Sequence, residues 1–147
     1  MKTQSDSAMV NVLADRWNEV SQKIAALANE LPEDKFDWRP TRELRSCAGV
    51  LRHVAFWNQY VGASLMGKDF DGTANELSPE HYADKQKILN ALSRSSQETT
   101  EALCRKTSPD PKTTELIVTF IEHTSEHYGQ LVVYARLLKI VPPSSRG

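Results

Sequence analysis

The sequence predicts an all-α fold, a four-helix bundle. Proline and glycine divide the chain into four long segments. Apolar residues recur within each at steps of three and four, and strand signals are nearly absent. Pro32 and Pro40 bracket a first break, Gly67, Gly72 and Pro79 a second, and Pro109 and Pro111 a third; Pro142 and Pro143 follow the last segment. Each proline-free stretch exceeds ~18 residues, so each makes a rod approaching 30 Å at the helical rise. Rods of that length with short connections pack as a bundle.

In the first segment Val10, Leu13, Trp17, Val20, Ile24, Leu27 and Leu31 form one helical stripe. The second opens at Ser46, a residue type that caps helix N-termini, and places Val50, Val54, Trp57, Val61 and Leu65 on one face. The third is expected to start at Ser78-Pro79, a cap followed by proline in the first helical position. Its stripe of Ile88, Leu89, Leu92, Thr99 and Leu103 is interrupted by Ser95 and Ser96. The fourth is expected from Asp110-Pro111 to about Ile140, with Leu116, Phe120, His123, His127, Leu131, Tyr134 and Leu138 facing the core. The run from Leu116 to Ile121 is β-prone, but it lies inside this longer helical pattern.

The length, 147 residues, is that of a single domain over residues 1–147. A net charge of -1, from 18 Lys+Arg against 19 Asp+Glu, gives no electrostatic footprint for nucleic acid or an anionic membrane. No stretch reaches the ~18 apolar residues that cross a bilayer. No apolar signal region follows Lys2, and Cys47 and Cys104 form neither a CxxC nor a disulfide scaffold. These features lead us to expect a cytoplasmic protein.

The fourth stripe carries the chemistry. At ~100° per residue, His123 and His127 lie within about 40° of each other and are expected to point into the bundle. Burying their nitrogens costs free energy unless each finds a partner. One divalent ion about 2.0–2.1 Å from each ring would satisfy both. His53, between Val50 and Trp57 on the second segment, is the third candidate ligand. Three neutral imidazoles with an open coordination position describe a catalytic-type site. His81 is expected to be exposed. A lone histidine on an apolar face is ordinarily a hydrogen-bonded core residue; the pair at i, i+4 brings metal level with that reading, and His53 on a separate helix raises it above.

Other groups are weaker candidates. His123-Thr124-Ser125-Glu126-His127 matches H-x-x-E-H, but inverted zinc peptidases need a further acidic ligand. Glu126 is either a general base or a solvated carboxylate, and the latter is the simpler reading. Cys47, in a first helical turn, is either an activated thiol or a small buried residue, again the simpler reading. No Glu is followed three residues later by His, which argues against di-iron chemistry. Gln130 and Tyr134, one turn beyond His127, are candidates to orient a ligand, with Trp57 and Phe120 as apolar wall.

Three segments resemble the DinB-like family of four-helix proteins, which includes bacterial thiol S-transferases. Asp37-Trp38-Arg39-Pro40-Thr41 with Ser46 is similar to its W-x-P loop, and Leu51-Arg52-His53-Val54-Ala55 to its first ligand region. The run from His123 to Leu131 resembles its H-x-x-x-H-x-G-Q-L signature. The resemblance spans about residues 10 to 140. It implies one divalent metal, Zn²⁺ or Ni²⁺, on His53, His123 and His127. It also implies an up-down-down-up topology with a long connection between the second and third helices, and a homodimer. The stretch from Gly67 to Pro79 is expected to make that crossing. By the same resemblance, the expected reaction is transfer of a low-molecular-weight thiol to a small electrophile; a water on an ion held by the three imidazoles would instead give metal-assisted hydrolysis. Tyr128 and Glu126 depart from the family pattern, which often has Arg and His there. The rival reading is a non-catalytic dimeric interaction module with a structural metal site.

Overall fold

A computed structural model describes residues 4–147. Four helices carry the architecture: α1 (Gln4–Glu30), α2 (Cys47–Leu65), α3 (Lys85–Cys104) and α4 (Pro111–Leu137). Single 3₁₀ turns lie at Glu33–Lys35 and Pro143–Ser145, and no strand occurs among the described residues. Among the described residues, no helix is long and apolar enough to cross a membrane.

Two of the expected caps form. The Ser46 hydroxyl accepts the Gly49 N–H at 3.0 Å, and the Asp110 carboxylate accepts the Thr113 N–H at 2.6 Å. The Trp38 and Phe36 carbonyls accept the next free amides of α2, those of Cys47 and Ala48, at 3.0 and 2.7 Å. The loop carrying Trp38 and Pro40 therefore completes the N-terminus of α2.

The third helix starts later than expected. Ser78-Pro79 opens a turn in which the Tyr82 N–H bonds the Ser78 carbonyl, and Asp84 is the cap, accepting the Lys87 N–H at 2.8 Å. Tertiary contacts hold the intervening segment out of a helix. Leu77 is buried in the core, and the Arg52 guanidinium donates to the Tyr82 carbonyl at 3.3 Å. His81 is exposed, as expected, but lies in the connection. The fourth helix ends at Leu137 rather than near Ile140, with Lys139 at φ 65° just beyond.

Helix directions follow from which ends share a core. One cluster joins Ile24–Leu31 of α1, Val50–Phe56 of α2, Ile88 and Leu92 of α3, and Leu131–Ala135 of α4. The other joins Val10–Trp17, Val61 and Leu65, Ala102 and Leu103, and Ile117. So α1 and α4 run one way, and α2 and α3 run the other, which is the up-down-down-up arrangement. The 66–84 connection must return along the whole of α2, about 28 Å of helix.

Ser95 and Ser96 do not break the buried face of α3; they are part of it, at 2% and 9% exposure. Hydrogen bonds within and between helices engage their polar groups. The Ser95 hydroxyl donates to the Leu92 carbonyl, and the Ser96 carbonyl accepts the Trp17 indole N–H at 3.2 Å. Small side chains here let α3 approach α2 closely. A Cβ added to Gly62 would sit 3.2 Å from the Thr99 hydroxyl.

Candidate metal centre

The buried residues of α4 are Thr113, Ile117, Thr124, Leu131, Tyr134 and Ala135. At ~100° per residue, His127 and His123 lie about 50° and 90° round the helix from the mean direction of that face. They are therefore half-buried at the bundle's rim, not in its core seam as expected. Packing rotated α4 so that Thr124, rather than either imidazole, meets the interior. The consequence is access: the rings face an open cleft of about 460 Å³.

His53 reaches the same cleft from α2 and is 6% exposed. Its Nε2 lies 3.0 Å from His123 Nε2, and its ring centroid 4.8 Å from that of His127. One ligand atom from each of His53, His123 and His127 lies within 4.8 Å of the others. Tetrahedral bonds of about 2.0–2.1 Å would put ligand nitrogens about 3.3 Å apart, so a small adjustment brings the three onto one ion.

Outer contacts decide the tautomers. His53 Nδ1 lies 2.6 Å from the Asn75 carbonyl, which can only accept, so the proton sits on Nδ1 and Nε2 keeps its lone pair. His127 Nδ1 donates to Gln130 Oε1 at 2.9 Å. The Gln130 amide donates in turn to the Tyr134 hydroxyl, and that hydroxyl donates to the Arg45 carbonyl, both at 2.9 Å. Two of the three rings thus have the anchoring found behind metal-bound imidazoles. With the lone pairs of His53 and His127 free, the contact between His53 and His123 requires His123 to donate from Nε2. That proton must move to Nδ1 before His123 can ligate.

Burial pushes the pKa of His53 down. It pushes His123 down to about 4, helped by the neighbouring imidazoles and the Arg45 guanidinium. Both rings are neutral at pH 7, the form that binds metal.

Trp57 and Phe120 form the apolar wall, with ring centroids 5.7 Å apart and planes 22° from parallel. Asn75 holds this wall too, because its side-chain oxygen accepts the Trp57 indole N–H at 2.8 Å. Asn75 adopts φ 59°, a left-handed conformation that Asn tolerates better than most residues. Nothing in the sequence near Asn75 signals its contact with a histidine 22 positions away, nor does anything near Arg45 place it in the cleft wall. Glu126 is exposed and does not line the cleft. Tyr134 is 2% exposed and supports Gln130 rather than meeting a ligand. Cys47 is buried, and burial raises its pKa to about 11, the reverse of an activated thiol.

A model of the DinB superfamily matches residues 16–131, most of the chain. The chain belongs to the DinB superfamily. No curated protein matches it. Within this DinB chain the match includes the loop that caps α2, all three clustered histidines and Gln130.

Proposed function

We propose that this DinB-superfamily protein is a metal-dependent enzyme acting on a small molecule. His53, His123 and His127 hold one divalent cation, zinc or nickel. The observation that carries this reading is the gathering of three imidazoles within 4.8 Å, two of them fixed with the proton on Nδ1 and Nε2 unprotonated. A divalent cation there supplies Lewis acidity, lowering the pKa of a thiol or water that reaches its open side.

The chain's own residues do the rest. The Asn75 carbonyl and the Gln130 amide keep their two rings oriented. Trp57 and Phe120 exclude water from one side of the cleft. Among the described residues no carboxylate lines the cleft, so a proton released by a thiol leaves to bulk solvent. In thiol transfer, the sulfur lone pair forms a bond to the electrophilic carbon, and the leaving group departs with the displaced pair. Hydrolysis would use water as the nucleophile in the same position.

Metal content of protein purified without a His tag tests the reading. One ion per chain is expected, with near-complete loss in His127→Ala and affinity about 10–100-fold weaker in Gln130→Ala. Substoichiometric metal, unchanged by His127→Ala, would leave the non-catalytic bundle as the better description. In cobalt-loaded protein, adding a small thiol should change the visible spectrum. An unchanged spectrum removes thiol transfer and leaves hydrolysis.

A further inference from the structure

Among the described residues, the wall of the histidine cleft contains one permanently charged side chain, Arg45. Its guanidinium pairs with Glu76 at 3.6 Å, through Nε. Glu76 is held more closely by Arg52, at 3.2 Å, and Arg52 also donates to the Tyr82 carbonyl. Arg52 is a structural cation, with 9% of its side chain exposed; the Arg45 side chain is 38% exposed. Two guanidiniums therefore share one carboxylate, and the surplus positive charge sits on the one that lines the cleft. Opposing it are the three imidazoles and the stacked Trp57 and Phe120 rings.

We infer that Arg45 anchors a carboxylate of the substrate, and that the substrate is a small organic acid whose apolar body lies along Trp57 and Phe120. This rests on the proposed reading of the cleft as a substrate site. A guanidinium presents paired N–H donors that match the two oxygens of a carboxylate. Phosphate sites ordinarily add several backbone amides, and here the amides at the start of α2 are already taken by Ser46, Trp38 and Phe36. A cleft of about 460 Å³ is in the range of small-molecule sites. Only the Arg45 side chain is invoked; its backbone carbonyl is engaged by Tyr134, so substitution leaves that contact in place.

The test titrates 3-phenylpropionate and its neutral isostere 3-phenylpropionamide into metal-free and cobalt-loaded protein, by calorimetry or amide chemical shifts. The acid is expected to bind about tenfold tighter than the amide in both forms, the size of one charge-assisted contact. Arg45→Gln should abolish that preference in both forms, and Arg45→Lys should keep part of it. Equal binding of acid and amide overturns the inference, as does a preference that survives Arg45→Gln. A preference confined to the cobalt form and indifferent to Arg45→Gln means that the carboxylate goes to the cation instead, and overturns it too. Wild-type protein that takes up no cobalt but keeps an Arg45-dependent preference would defeat the metal reading and support the anchor.

Discussion

His53, His123 and His127 differ in what holds them. His53 leans on a backbone carbonyl and His127 on an amide, whereas the polar contact of His123 is with His53. His123 is therefore the ring held by another imidazole rather than by a carbonyl or an amide. Its folded pKa, about 4, lies below the 6.5 of a free imidazole, because burial disfavours the charge. Between those values the unfolded chain binds a proton that the folded chain does not. Stability from this group is therefore complete above about pH 6.5 and is lost as pH falls toward 4. His53 shifts in the same direction. In metal-free protein, the urea midpoint should drop between pH 7 and pH 5, and should drop less in His123→Ala. Equal drops would show that His123 is not the group responsible. The pair on α4 was legible because i, i+4 spacing is a property of any helix. Arg45 and Asn75 were not, since their roles depend on contacts made across the fold.

At the scale of elements, capping chemistry and stripe periodicity located three of the four helix starts or faces well, and α3 poorly. Two cap candidates, Ser78 and Asp84, stand six positions apart, and local preference does not choose between them. Buried Leu77 and the Arg52 contact to Tyr82 choose Asp84. Ser95 and Ser96 read as a gap in the stripe because hydroxyls are scored as polar, yet each side chain or carbonyl is satisfied within the bundle. The close approach of α2 and α3 depends on Gly62. The Thr99 hydroxyl facing it cannot swing away freely, because it donates to the Asn58 and Ser95 carbonyls. Gly62→Val should therefore destabilise the protein by about 1–3 kcal/mol through overpacking. Chemical denaturation checks this; an unchanged midpoint would mean that α2 and α3 separate at little cost.

At the scale of the molecule, the histidine cluster ties α2 to α4, two helices that are distant in sequence. A cation bound to the native cluster and not to the unfolded chain would stabilise the whole bundle. The gain is about 2.7 kcal/mol at a hundred times Kd, a rise of several degrees in Tm. Thermal melts with zinc and with a chelator should show that difference in wild type and not in His127→Ala.

The sequence by itself determined four amphipathic helices, the caps at Ser46 and Asp110, and a pair of imidazoles one turn apart on the fourth helix. Each follows from geometry within a few consecutive residues. Only the tertiary structure decided how α4 is rotated about its axis. Apolar residues cover a wide arc of that helix, so periodicity permits several facings, and the best packing against α1 and α2 selects one. That choice moved His123 and His127 from the core to an open rim, brought them to His53, and set Arg45 and Asn75 beside them.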